Sequence, residues 1–339
     1  MHRLVLIFLV ACAIATVAGS ARSSPGVGSQ PAARMPALSQ RGSDAIAGIH
    51  WAEHVYTAST GEPVNVSVSV FYPSDQPVGQ RWADFFASLL HGPELARLKV
   101  YIAPVGEVQQ ICGGGAVGCY GDDRLIVTNE PARGFAPEEV ARHEYGHHIA
   151  RNRSNAPWPA SDWGPKRWAS SANVCRRVRW NTAYPGDESL LYKLNPGEGF
   201  AEAYRVLVDT KLGNARPSWP LVDASFYPDQ AALAAVEQDV VAPWIGPTTR
   251  VFRVRIPPGP RPVWTQKIST PLDGTLRITS PPLPGALVLL GDDGRPLRAT
   301  DSWSQKGLDY EICGQRSLTI RLTAPGGGVR SFDLRVTVP

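Results

Sequence analysis

Residues 143–147 contain the side chains whose types and spacing are best suited to chemistry, in the order His-Glu-Tyr-Gly-His. On an α-helix, residues four positions apart lie on one face, so the imidazoles of His143 and His147 can bind one metal ion. The carboxylate of Glu144 would then lie beside that ion, where it can accept a proton from water. The segment therefore predicts a metal-dependent hydrolytic site, provided that it is helical.

The residues around this motif predict a helix. Pro137 is suited to a first helical turn, and the two glutamates that follow it place negative charge at the positive end of the helix dipole. Asn152 and Pro157 are signals for the end of the helix. The positions that share one helical face are Val140, His143, His147 and Ala150. The alternative is an amphipathic surface helix that carries two histidines by chance.

A second amphipathic helix, which begins near Asn195 and ends near Gly213, offers a third ligand. Zinc in a hydrolytic site takes three protein ligands and leaves one position for water. Glu198 and Glu202 are four positions apart and share a face. The alternative is that Asn195 and Glu198 form a capping box, while Glu202 is a surface charge paired with Arg205.

Together these two segments resemble the gluzincin zinc metallopeptidases, in which His-Glu-x-x-His is followed by a glutamate on a later helix. The run Glu-Gly-Phe-Ala-Glu-Ala-Tyr from Glu198 is similar to the glutamate helix of their lethal-factor-like branch. The resemblance is confined to these two helices, and it implies a zincin fold and peptide-bond hydrolysis. It implies zinc binding by His143, His147 and Glu198, proton transfer by Glu144 and orientation of a ligand histidine by Glu202.

The function expected from this resemblance is that of a secreted zinc endopeptidase with protein or peptide substrates and one Zn²⁺ per chain. Gluzincins commonly add a tyrosine or histidine that donates to the oxyanion, and Tyr192 is the candidate for this role. Tyr184 is the second candidate, and a tyrosine packed in the core is the alternative. The other function considered is an inactive secreted zincin that binds a polymer or a cell surface. Glu144 favours the enzyme, because structural zinc does not require it.

A second histidine pair, His50 and His54, occurs in the segment His-Trp-Ala-Glu-His. Here the glutamate precedes the second histidine instead of following the first, an inverted order that metallopeptidases also use. The residues after it are β-branched or aromatic and predict a strand. On a strand, residues four apart lie about 13 Å from each other, which is too far to bind one ion. We therefore expect no metal at this pair.

The first residues predict a secretory signal peptide over residues 1–21, with a basic start, a short apolar run and small residues at its end. Cys12 also fits a bacterial lipoprotein cleavage site, which would anchor the chain to a lipid. Residues 22–45 are rich in Ser, Pro, Gly and Ala, and they predict a disordered spacer or a pro-segment. No later segment is apolar enough to insert stably in a membrane.

Four of the five cysteines remain after the signal segment, and an oxidising compartment favours disulfides. The glycine-rich segment between Cys112 and Cys119 predicts a small closed loop, which leaves Cys175 to pair with Cys313. The net charge is +4 with no basic run among aromatic residues, so a nucleic-acid partner is not expected. We expect a monomer.

The element pattern predicts an α+β fold in two parts. Residues 46–245 mix strands and helices and correspond to a zincin-like catalytic domain, with Leu125–Thr128 as the candidate strand along the cleft. Residues 246–339 alternate apolar and polar positions between Gly-rich turns and predict a small all-β, sandwich-like accessory domain. Between the motif helices, a tryptophan-rich stretch predicts a long irregular loop, or a groove lined by aromatic residues.

Overall fold

The computed structural model describes residues 38–74, 76–214, 217–281, 285–300, 307–327 and 330–339. The predicted signal peptide and the Cys12 anchor lie outside these residues. The described part begins with helix α1, Gln40–Gly48, whose first turn is capped by the hydroxyl of Ser39. Helix α1 therefore includes residues 40–45 of the segment predicted to be a disordered spacer or a pro-segment. Its physical basis is the burial of Ile46 in a small apolar cluster with Ile111 and Val108.

A five-stranded sheet forms the centre of the N-terminal part. Its strands are β1 Trp51–Thr57, β2 Pro63–Ser69, β3 Lys99–Ile102, β4 Gly118–Gly121 and β5 Arg124–Val127, in the spatial order β1-β2-β3-β5-β4. The inner strands β2, β3 and β5 are parallel, whereas β1 and β4 pair antiparallel at the two edges. The predicted cleft strand, Leu125–Thr128, corresponds to β5, which lies inside the sheet. The prediction that this strand lies along the cleft with a free edge was wrong, because β4 pairs with β5 and is itself the edge strand.

Among the described residues of the N-terminal part, eight further α-helices follow α1: α2 Val78–Ser88, α3 Val105–Cys112, α4 Pro137–Arg151, α5 Ala160–Trp163, α6 Lys166–Ser171, α7 Val174–Arg179, α8 Pro196–Lys211 and α9 Gln230–Val241. The motif helix α4 has Pro137 in its first turn and ends before Asn152, as the sequence predicts. The tryptophan-rich stretch contains the short helices α5–α7, so it is not one irregular loop. Trp168 of α6 is fully buried, whereas Trp180 is exposed.

The motif helix α4 packs against strands β4 and β5 and against α8. All residues from His143 to Ala150 are buried, so the helix has no solvent-facing side over this stretch. Tyr145 and Ile149 lie in the main apolar core together with Phe86 and Tyr204. This placement excludes the alternative of an amphipathic surface helix, because such a helix exposes one face.

The C-terminal part consists of two four-stranded antiparallel sheets, as predicted for a sandwich-like β fold. Its strands are β6 Thr248–Ile256, β7 Val263–Ser269, β8 Gly274–Thr279, β9 Ala286–Leu290, β10 Pro296–Thr300, β11 Gly307–Ile312, β12 Ser317–Thr323 and β13 Arg330–Val338. Their inward positions form an apolar cluster of their own, distinct from the core around α4. The α+β class with a C-terminal β domain is therefore confirmed, while the boundary at residue 246 stays a prediction.

Several contacts join the β domain to helices α6 and α7. Nζ of the buried Lys166 donates to the carbonyl of Asp273 at 2.9 Å, and the guanidinium of Arg316 donates to the backbone oxygen of Ser170 at 2.8 Å. The Sγ atoms of Cys175 and Cys313 are 2.01 Å apart, and those of Cys112 and Cys119 are 1.95 Å apart. Among the described residues, no helix combines the length and apolar character that a membrane span needs.

Candidate metal centre

Helix α4 presents both motif histidines on the face that contacts α8. The Nε2 atoms of His143 and His147 are 3.2 Å apart, and both side chains are almost fully buried. Glu144, the next residue along the helix, is also buried. The helical spacing therefore aims two imidazole nitrogens at one point, as the sequence predicts.

Helix α8 supplies the third group. Asn195 caps the helix through a hydrogen bond from the backbone N–H of Gly197 to its Oδ1 at 3.0 Å. Glu198 lies in the first turn, with Oε2 3.1 Å from Nε2 of His143 and Oε1 3.4 Å from Nε2 of His147. The cap is therefore formed as the alternative interpretation proposed, but the carboxylate of Glu198 is directed to the histidines.

These three donor groups have the spacing of a tetrahedral metal site. Their nearest atoms are separated by 3.1, 3.2 and 3.4 Å. Ligand atoms bound tetrahedrally at the usual zinc distances lie about 3.3 Å from one another. Two imidazoles and one carboxylate are also a ligand set that hydrolytic zinc sites use. The residues present therefore fit a divalent ion with one position left open.

The charges in the site favour a cation. Burial by itself would lower the pKa of His143, but the carboxylates of Glu198 and Glu202 raise that pKa well above its ordinary value. The pKa of His147 is also raised, because Glu198 outweighs the effect of burial. Burial would raise the pKa of Glu198, yet the two imidazoles hold it well below its usual range. The surroundings of these three groups thus stabilise a positive charge between them. A bound metal ion would supply such a charge.

Glu202 lies behind His143. Its Oε1 is 3.2 Å from Nδ1 of His143, while its Oε2 accepts hydrogen bonds from Arg205 at 2.9 and 2.6 Å. The alternative interpretation paired Glu202 with Arg205 at the surface; the two side chains do pair, but the guanidinium is buried and also pairs with Asp209 at 2.7 Å. Glu202 is therefore held in place by a buried ion pair, in a position that can fix the ring of His143. Nδ1 of His147 has no hydrogen-bond partner within the described part of the chain.

The base candidate Glu144 and the oxyanion candidate Tyr192 both adjoin the centre. Burial raises the pKa of Glu144, although the two histidines act against this shift. The hydroxyl of Tyr192 donates to Oε2 of Glu198 at 2.6 Å. The second oxyanion candidate, Tyr184, is directed elsewhere and donates to the backbone oxygen of Asn181. Of the two tyrosines, Tyr192 is therefore the one that the structure brings to the site.

Two cavities meet at the centre, and both are lined by His143, Glu144 and Tyr192. One, of about 350 Å³, is called here the acidic cavity. Its wall includes Glu144, Glu188, Glu198, Cys119, Tyr120 and Tyr192. The other, of about 300 Å³, is called the apolar cavity. Its wall includes Val117, Phe135, Val140, Pro220 and Leu221, with Arg133 at an exposed position.

The disulfide between Cys112 and Cys119 forms part of the acidic cavity, because Cys119 lies on the edge strand β4. Gly118 of the same strand lies so close to α4 that a Cβ atom there would be 2.6 Å from Cγ1 of Val140. The edge strand therefore passes directly beside Glu144. This strand is not predicted from sequence, since its four residues include two glycines and few strand-forming side chains.

The other candidate metal-binding residues of the described part lie apart from this centre. His54 lies on strand β1, as predicted, and neither His50 nor His54 belongs to a metal-binding group within the described residues. Cys175, Glu311 and Cys313 lie close together, but the two cysteines are joined to each other. The remaining motif neighbour, His148, contacts the backbone oxygen of Glu94 through Nε2 at 2.9 Å. It is directed away from the centre, because it follows His147 directly and lies on another face of the helix.

Comparison with known proteins gives little independent guidance. No family model matches the chain, and no curated protein matches it. Among solved structures, the chain shows a weak likeness to Legionella pneumophila aminopeptidase A in complex with aspartic acid, with 9% identity and a TM-score of 0.23. The alignment covers 79% of this chain and 36% of that structure, so the chain spans about a third of its length.

Proposed function

We propose that this chain is a secreted, zinc-dependent endopeptidase. The observation that carries the proposal is the convergence of His143, His147 and Glu198 on one point with Glu144 beside them. Zinc bound there would polarise a substrate carbonyl and lower the pKa of a water molecule to about 7. The proposed fold of the catalytic part, residues 46–245, is that of a zincin, in the gluzincin class.

Glu144 is proposed as the general base. Its carboxylate lines both cavities, so it faces any substrate that spans the centre. It would take a proton from the attacking water and pass it to the nitrogen of the leaving amine.

Glu202 and Tyr192 are proposed in supporting roles. Glu202 would hold His143 in one orientation through Nδ1, and Arg205 keeps its carboxylate in place. Tyr192 would donate to the oxygen on which negative charge develops during attack. To do so, its hydroxyl must turn from Glu198, to which it now donates.

A peptide substrate would run along β4 and place residues in both cavities. This strand is at the edge of the sheet and beside Glu144, so its free backbone groups can pair with an extended chain. The apolar cavity is suited to a bulky apolar side chain, because valine, phenylalanine and leucine form its wall. The predicted signal peptide and the two cysteine pairs support secretion.

An inactive zincin that binds a polymer or a surface is the alternative function. The exposed Trp180, which stacks with Arg176 at 4.2 Å, and the β domain are the features that favour it. Glu144 favours the enzyme, since binding of structural zinc does not need a base. Cleavage of casein or gelatin by the purified protein, with and without a chelator, distinguishes the two functions. We expect cleavage that the chelator abolishes and added Zn²⁺ restores; absence of cleavage at full zinc content would support the alternative.

A further inference from the structure

The carboxylate of Glu188 lines the acidic cavity but has no role in the proposed reaction. It lies in the loop that precedes α8, and its Oε1 accepts a hydrogen bond from Nδ2 of Asn195 at 2.9 Å. Oδ1 of Asn195 accepts from the N–H of Gly197 at 3.0 Å and from the N–H of Gly186 at 3.2 Å. Asn195, the cap residue of α8, therefore fixes the position of Glu188 relative to Glu198, which lies on α8.

A divalent ion alone would not neutralise the negative charge of the acidic cavity. Three carboxylates line it, those of Glu144, Glu188 and Glu198, and none of the described residues in its wall is a lysine or an arginine. A divalent ion would neutralise two of these charges. One negative charge would remain when Glu188 is ionised, and within the described part of the chain Glu188 has no ion-pair partner. Burial and the charge of Glu198 raise the pKa of Glu188 to about 7, as expected of a carboxylate that has no cation beside it.

Glu188 is also the carboxylate that a ligand can reach. Glu144 and Glu198 are buried, whereas Glu188 is exposed where the cavity meets solvent. On the other side of the centre, the apolar cavity has an arginine, Arg133, at an exposed position. The wall of that cavity also includes Glu139, Glu144 and Glu202, but Arg205 pairs with two of these carboxylates, so its negative charges are accompanied by cations. The acidic cavity has carboxylates and neither lysine nor arginine among its described wall residues, so the two cavities differ in charge.

We propose that Glu188 binds a positively charged group of the substrate in the acidic cavity and so determines specificity on that side of the cleaved bond. The proposal rests on the proposed peptidase function. The cation has two possible sources, the free amino terminus of a short peptide or the side chain of a lysine or arginine. Both would form a charged hydrogen bond with the carboxylate, which neutral groups of similar shape cannot form.

The test compares the zinc-loaded wild type with Glu188→Gln on a set of matched peptides. Glutamine keeps an acceptor for Asn195, so the loop retains its hydrogen bond. The peptides differ by lysine against norleucine at each position near the cleaved bond, and by a free against an acetylated amino terminus. Glu237→Gln is the control, because it removes the same charge from an exposed position on α9.

We expect Glu188→Gln to lower kcat/KM for the cationic peptide by about tenfold or more, mainly through a higher KM, and to leave its neutral counterpart unchanged. Glu188→Lys should reverse the preference in favour of an acidic group. The pair of peptides that shows the effect identifies the source of the cation. Equal losses for cationic and neutral peptides, or equal effects of Glu188→Gln and Glu237→Gln, would overturn the proposal.

Binding provides a measurement that does not depend on turnover. In a Glu144→Gln background, calorimetry should show weaker binding of the cationic peptide when Glu188 is also replaced by glutamine, and the difference should shrink in high salt. If no peptide is cleaved by the wild type, the proposed function fails, and the binding experiment still decides the role of Glu188. If peptides are cleaved without charge preference and bind equally, only the inference about Glu188 fails.

Discussion

A Cβ atom on Gly146 would lie 2.7 Å from the Cα atom of Ala201, so helices α4 and α8 touch through their backbones at this point. Gly146 lies between the two histidines of the motif, and Ala201 lies one turn after Glu198. The close approach is therefore what brings the carboxylate of Glu198 to the imidazoles. A glycine inside a helix ordinarily costs stability, and here the contact explains why the helix has one.

Gly146→Ala should lower the stability of the fold and the affinity for zinc. The added methyl group meets backbone atoms that cannot move without separating the helices, and overpacking of this kind costs about 1–3 kcal/mol. Denaturant unfolding and a zinc-competition titration measure the two effects. Gly106→Ala in α3 is the control, since a Cβ there meets no atom within 4 Å and should be neutral or stabilising. Equal effects of the two substitutions would contradict the role given to Gly146.

Glu202→Gln should weaken zinc binding by about 10- to 100-fold, the usual effect of losing a group that orients a ligand. The carboxylate 3.2 Å from Nδ1 of His143 would be replaced by a neutral amide, and Arg205 would lose one of its charged partners. The measurement is competition with a chromogenic chelator. Glu139→Gln is the control, because Glu139 also contacts Arg205, at 3.4 Å, but does not contact either histidine. An unchanged zinc affinity in Glu202→Gln would show that His143 is oriented by other means.

Tyr192→Phe should lower kcat by at least about tenfold, since one donor to a developing oxyanion is usually worth a few kcal/mol. Zinc content should stay the same, because phenylalanine leaves all three metal-binding groups in place. Tyr184→Phe is the control, as its hydroxyl bonds only to a backbone oxygen away from the centre. A normal turnover number in Tyr192→Phe would exclude this tyrosine as the oxyanion donor.

Stability should rise with pH in the alkaline range because of Lys166. Burial lowers its pKa to about 8, even though the charges of Asp273 and Asp239 act against this shift. Between that value and the ordinary pKa of 10.5, the unfolded chain binds more protons than the folded one, so unfolding becomes harder as pH rises. Relative to Lys166→Met, the wild type should gain up to about 3 kcal/mol between pH 7 and pH 10.5.

The measurement for Lys166 is denaturant unfolding of both proteins across this pH range, taken as a difference so that other titrating groups cancel. Lys193→Met is a suitable control, because Lys193 is exposed on a short 3-10 helix, Tyr192–Leu194. A difference between the wild type and Lys166→Met that stays constant with pH would contradict the lowered pKa.

Much of the site could be predicted from sequence because several of its features depend on residues that are close together in the chain. The spacing of His143 and His147 predicts their shared face, and Asn195 with Pro196 predicts where α8 begins. The strand at His54 follows from β-branched and aromatic neighbours. In each case, residues close in the chain determine the structure.

Other features depend on contacts between distant segments and leave no local pattern. The edge position of β4 depends on its pairing with β5, and four residues with two glycines do not predict a strand. Arg205 is buried because its guanidinium pairs with three carboxylates from two helices, those of Glu139, Glu202 and Asp209. Glu188 lies in a loop without periodicity, so only its hydrogen bond to Asn195 places it in the cavity.

The most direct test of the central claim is to measure zinc content and peptide hydrolysis on the same sample of Glu144→Gln. Glutamine keeps the shape of the side chain and removes the base, while His143, His147 and Glu198 remain to bind the ion. The proposed mechanism predicts about one zinc per chain, as in the wild type, together with a loss of activity of at least about 100-fold. Undiminished hydrolysis by the zinc-loaded variant would contradict it.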